Sequence, residues 1–117
     1  MESIRVKARE LGVDVDDFQS NDEGAIVTKI GAVDGEYDGI VLNPAAYTHT
    51  SVAIGDAIKA VDAPCVEVHL SNIQGREDFR KNSMTAAACI GQVAGFGANS
   101  YILALEGLVA HINASEQ

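Results

Sequence analysis

A chain of 117 residues with 47% hydrophobic side chains is long enough for one folded domain with a core and too short for two. Eight basic residues against 17 acidic ones give a net charge of −9 and an isoelectric point near 4.5, which argues against nucleic acid or an anionic membrane as a partner. The acidity says little about an anionic small molecule, which a few local cations suffice to hold.

In chain order, residues 2–11 (ESIRVKAREL) place Ile4, Ala8 and Leu11 on one face and stop at Gly12, which predicts a helix. Residues 13–19 (VDVDDFQ) alternate, with Val13, Val15 and Asp17 on one side, and read as a strand. Asn21 is the expected cap of a helix through GAIVTKIGAV, with Asp22 and Glu23 in its first turn. Residues 37–43 (YDGIVLN) hold a buried-strand core at Ile40, Val41 and Leu42. Thr50 or Ser51 caps the next helix, which runs to Val61. Residues 64–70 (PCVEVHL) form a strand that sets Cys65, Glu67 and His69 against Val66, Val68 and Leu70. A short helical turn is expected at 75–81, a strand of small residues at 86–96, and a last helix from Asn99 to His111.

A leading helix followed by four strand–helix units predicts an α/β fold with a parallel sheet. In such a sheet a helix connects two strands, so a strand is expected ahead of residue 2. In the flavodoxin-like order 2-1-3-4-5 it is the central one. The chain therefore reads as a single domain shortened at its N-terminus. Cys65 and Cys89 lie in apolar runs and read as free thiols rather than a disulfide or metal pair. There is no run of about 18 apolar residues and no signal-peptide pattern, so a cytoplasmic protein is expected.

The chemistry gathers in residues 37–80. Ligands of an open parallel sheet bind beyond the carboxyl ends of its strands. Asn43 ends one strand, and Glu67, His69 and Ser71 project from one face at the end of another. Glu67 is placed to fix the tautomer of His69, which leaves the other ring nitrogen to exchange a proton with a ligand. A satisfied histidine beside a solvated carboxylate is the plainer alternative, but two ionisable groups flanking Val68 in an apolar strand need a reason. Leu70 and Ser71 lead into a turn whose backbone N–H groups suit a carboxylate. Arg76 and Arg80 share a face if that segment is helical. Arg80 reads as a ligand contact or a partner of Glu77 or Asp78, and Arg76 as the latter. Asn43 offers an amide to a hydroxyl or enolate oxygen. His49, in YTHTS, reads as a binder or a surface residue. Gly95 and Gly97 allow a turn or close backbone packing; GFG lacks the spacing of a dinucleotide fingerprint.

NPAAYTHTS, VEVHLSN and REDFR, with FQSNDEG before and GFGANSYILALEGL after, resemble the type II 3-dehydroquinate dehydratases over nearly the whole chain. The resemblance implies a flavodoxin-like three-layer α/β/α fold, assembled into trimers and then dodecamers. It also implies a hydro-lyase of the shikimate pathway that needs no metal or cofactor. Water leaves 3-dehydroquinate through an enolate, and 3-dehydroshikimate results. By motif, His69 resembles the general acid, Glu67 the residue that orients it, and Asn43 the amide that supports the enolate through water. His49 and Arg80 look like binders of substrate hydroxyls, and Leu70 and Ser71 like the carboxylate site. Asp56 matches an acidic position that reaches a neighbouring subunit's site.

Two departures stand out. NPAA replaces the common NPGA, so Ala45 has to fit a tight turn. The family's opening strand and lid loop, which carries an asparagine, an arginine and the tyrosine base, has no counterpart here, and Tyr37, Tyr47 and Tyr101 do not match it. The chain alone is therefore expected to be weakly active or inactive. A non-catalytic relative that oligomerises or binds a ligand is the competing expectation. A phosphate or receiver module is disfavoured, because no glycine-rich loop or acidic cluster follows the first strand.

Overall fold

The computed structural model describes residues 2–45, 47, 50–72 and 84–116. Helices α1 (Glu2–Leu11) and α2 (Glu23–Gly31) precede strand β1 (Ile40–Leu42). Helix α3 (Val52–Ala60), strand β2 (Cys65–His69), a 3₁₀ turn (Ala86–Ala88), strand β3 (Gly91–Ala94) and helix α4 (Asn99–Ser115) follow. The strands form one parallel sheet in the order β1-β2-β3. The helical turn expected at 75–81 lies outside the described residues.

Alternation along the strands builds a three-layer core. Cys65 turns to the side of α2 and α3, where it packs with Ile30, Ile54 and Ile58. Val66 and Val68 turn the other way, onto Ala104 and Leu108 of α4. Helix α1 lies outside α4, through Ile4, Ala8 and Leu105. Lys7 adds ion pairs to Glu106 at 3.0 Å and Glu10 at 3.2 Å. Its hydrogen bond to Glu106 is the main reason its ammonium is held above the ordinary lysine range.

Helix α3 begins as expected, with the Ser51 hydroxyl accepting from the Ile54 N–H at 2.9 Å. Helix α2 is capped by Asp22 rather than Asn21: Asp22 Oδ1 accepts from the Gly24 N–H at 2.9 Å. The Asn21 carbonyl instead receives the Tyr47 hydroxyl at 2.9 Å.

Residues 13–19 form no strand. Their alternation is real, since Val13 and Val15 turn inward onto the α1–α4 cluster. A strand also needs a ladder, and β1 pairs only with β2 among the described residues. Side chains fix the segment instead. Arg5 donates to the Val15 carbonyl at 3.3 Å and to Asp17 at 3.2 Å. Tyr37 donates to Asp16 at 2.7 Å, a bond that holds its phenol above the ordinary range. Lys29 sits 5.6 Å and 5.7 Å from the Phe18 and Tyr37 ring centres.

The strand expected at 86–96 is shorter, because its first residues close a 3₁₀ turn in which the Cys89 N–H bonds the Ala86 carbonyl at 3.1 Å. Both cysteines are free, Cys65 buried and Cys89 half-buried. Hydrogen bonding to Cys89 and then burial push the Cys65 thiol up, which makes it a poor nucleophile.

Candidate functional site

Parallel strands present their carboxyl ends on one edge of the sheet, and Asn43, His69, Leu70 and Ser71 all fall there. Glu67 and His69 share the face of β2 that looks toward α3, as the alternation requires. Glu67 is 0% and His69 6% exposed. His69 Nε2 lies 3.1 Å from Glu67 Oε2. The approach is close but not aligned: among the described residues Nε2 has no partner of hydrogen-bond geometry. Catalytic hydrogen bonds are often poorly aligned until a ligand is bound.

The Glu67 carboxylate is held from two further directions. The Thr85 hydroxyl donates to Oε1. The Gln92 side-chain amide donates to Oε2 at 3.1 Å. Sequence reading passed over both residues. Thr85 and Glu67 are 18 positions apart, and Gln92 becomes a partner only through the β2–β3 register, which sets it opposite Glu67. A polar side chain in the small-residue run 86–96 was the one available signal for Gln92.

Asn43 stands at the same sheet end but toward α4. Its Nδ2 donates to the Tyr101 hydroxyl at 3.0 Å, and its Oδ1 accepts from the Ala45 N–H at 3.0 Å. Because an N–H only donates, the Ala45 bond fixes which way round the amide sits. One N–H and one lone pair of the amide remain beyond these two bonds. Asn43 thus joins Tyr101 and Ala45, and not the Glu67–His69 pair. The other tyrosines are engaged elsewhere, Tyr37 with Asp16 and Tyr47 with the Asn21 carbonyl.

Ala45 has φ 52°, in the left-handed region. That conformation costs a non-glycine residue roughly 1–2 kcal/mol, and glycine gives up about 0.4–1 kcal/mol of it through the freer unfolded chain. Ala45→Gly is therefore expected to raise stability by about 0.5–1 kcal/mol. Thermal unfolding measures this, and a lower midpoint would contradict it.

Leu70 and Ser71 are exposed as β2 ends. The loop after β3 anchors the end of β2: the Gly95 N–H bonds the His69 carbonyl at 3.2 Å and the Gly97 N–H bonds the Leu70 carbonyl at 2.8 Å. Both glycines have positive φ, 96° and 59°, so of the two expected roles it is the turn that is present; an added Cβ would meet nothing within 4 Å at Gly97. Asp56 is exposed on α3 and does not enter this cluster. His49, Arg76 and Arg80 lie outside the described residues.

The arrangement suits proton transfer, with a buried carboxylate fixed beside an imidazole at a sheet end. A family model described as dehydroquinase class II matches residues 1–109. The 3-dehydroquinate dehydratase of Clostridium perfringens strain 13 is 56% identical over 110 residues, covering 93% of this chain and 75% of that protein. That of Synechocystis is 58% identical over 110 residues, covering 94% and 72%. The crystal structure of type II dehydroquinase from Propionibacterium acnes superposes with a TM-score of 0.86 at 41% identity, over 93% of this chain and 80% of that one. A 3-dehydroquinate dehydratase-like protein from Bifidobacterium longum superposes at 0.76 with 31% identity, covering 97% and 85%.

Proposed function

The chain belongs to the dehydroquinase class II family, and on that premise we propose that it binds 3-dehydroquinate beyond the ends of β1 and β2 and supplies the acid half of its dehydration. The observation that carries this reading is the buried Glu67–His69 pair at the sheet end, 3.1 Å apart. In the reaction a base removes a proton from the carbon beside the ketone, and the electron pair is held as an enolate. Protonated His69 then gives its proton to the hydroxyl, which leaves as water, and the enolate collapses to the enone 3-dehydroshikimate. Glu67 orients the ring and balances its charge. Asn43 supports the enolate oxygen through water.

Leu70 and Ser71 receive the substrate carboxylate, and His49 and Arg80 its hydroxyls. Asp56, exposed on α3, serves the site of a neighbouring subunit in a trimer, and trimers build dodecamers. No helix among the described residues is long and apolar enough to cross a membrane. A cytoplasmic enzyme fits that and the biosynthetic reaction.

Binding tests the reading without turnover. Arg80→Ala is expected to weaken 3-dehydroshikimate by about 1.5–3 kcal/mol in isothermal titration, the scale of a hydrogen bond to a charged group. Unchanged affinity would leave Arg80 merely paired with its acidic neighbours.

A further inference from the structure

We propose that Thr85 and Gln92 are positioning residues, which lock the Glu67 carboxylate so that it dictates which ring nitrogen of His69 carries the proton. The proposal rests on the reading of His69 as the acid, and adds the device that prepares it. Glu67 is fully buried on the face of β2 that also carries Cys65, where an ionised carboxylate is costly unless donors meet its oxygens. Thr85 meets Oε1, and Gln92 meets Oε2. With both bonds made, Oε2 is the oxygen turned to His69 Nε2.

Each donor is itself held in place. Thr85 is 0% exposed and opens the 3₁₀ turn, its carbonyl accepting from the Ala88 N–H at 3.0 Å and the Cys89 thiol at 3.4 Å. From the other side the turn rests on α3 at Gly55, where an added Cβ would come within 2.8 Å of the Met84 carbonyl oxygen. Gln92 is set opposite Glu67 by the β2–β3 pairing. The carboxylate is thus the fixed partner. His69, whose Nε2 lacks an aligned partner among the described residues, is the one that turns. An ionised carboxylate only accepts, so a neutral ring facing it keeps its proton on Nε2. The other nitrogen is then the one that exchanges a proton with a ligand. With either donor removed the carboxylate oxygens are held less firmly, and the preference weakens.

The test uses the 117-residue chain and needs no turnover. Long-range ¹H–¹⁵N spectra of the neutral imidazoles give the tautomer ratio of each histidine, with His69 assigned by its absence in His69→Gln. Thr85→Val removes the hydroxyl and keeps the shape, Thr85→Ser keeps the hydroxyl, and Gln92→Leu removes the amide at an exposed position. Thr85→Val and Gln92→Leu are each expected to shift the His69 ratio away from the Nε2–H form by roughly tenfold, the scale of one hydrogen bond to a charged group. Thr85→Ser is expected to keep the parent ratio. The proposal is overturned if folded Thr85→Val or Gln92→Leu keeps the parent ratio, or if Thr85→Ser shifts it as far as Thr85→Val. Gln92→Leu decides the matter alone if Thr85→Val fails to fold. A parent-like ratio in these variants removes the locking device alone if turnover of the chain joined to a family N-terminal segment still depends on His69. Turnover of that joined chain independent of His69 removes the acid reading itself.

Discussion

His69→Gln, made in a chain that carries the N-terminal segment of a 3-dehydroquinate dehydratase, is expected to lower turnover by roughly 10²-fold or more, the usual contribution of general acid catalysis. Glutamine keeps a polar side chain of similar reach beside Glu67, so the buried carboxylate still finds a donor. What it removes is a group that gives up and regains a proton near neutral pH. The loss should fall on kcat, with KM and the affinity for 3-dehydroshikimate changed much less, because an interaction made only as the hydroxyl leaves does not help ground-state binding. Thermal unfolding of the same variant checks that the sheet end is intact. Turnover within a few-fold of the parent would take His69 out of the mechanism.

The 117-residue chain, assayed by itself, is expected to give no useful turnover of 3-dehydroquinate. A base must lie within hydrogen-bond reach of the proton it removes, and none of these residues matches the family's tyrosine base. Tyr37 and Tyr47 donate their protons to Asp16 and the Asn21 carbonyl, and Tyr101 accepts from Asn43. Joining the family's strand and lid loop ahead of residue 2 should restore turnover, read as absorbance of the enone product. It should also raise the unfolding midpoint, since a strand added beside β1 covers an edge that has no partner among the described residues. Turnover of the chain alone at the level of its relatives would place the base among the three tyrosines, and Tyr101, beside Asn43, would be the first to replace.

What the sequence made legible was local or periodic. Ile4, Ala8 and Leu11 marked α1 through a helical repeat, Thr50 and Ser51 marked the start of α3, of which Ser51 is the cap, and alternation in β2 put Glu67 and His69 on one face. What escaped was set by distant partners. Residues 13–19 have a strand's alternation, but a strand needs a neighbour and theirs is not among the described residues. Thr85 and Gln92 reach Glu67 only after the sheet has formed, across 18 and 25 positions. The Asn43–Tyr101 bond spans 58 positions and no spacing rule signals it. The tight turn at Ala45 was legible because the NPAA motif departs from NPGA, and its φ of 52° is the backbone such a turn uses.

The central claim is that the ends of β1 and β2 form the 3-dehydroquinate site of this chain. Its most direct test is a titration of the ¹⁵N-labelled 117-residue protein with 3-dehydroshikimate, followed residue by residue. The expected result is saturable shifts at Asn43, Ala45, His69, Leu70, Ser71 and Gly95, with Lys7 of α1 and Glu106 of α4 unmoved. Shifts centred on that ion pair, or none at the sheet end up to millimolar ligand, would contradict it.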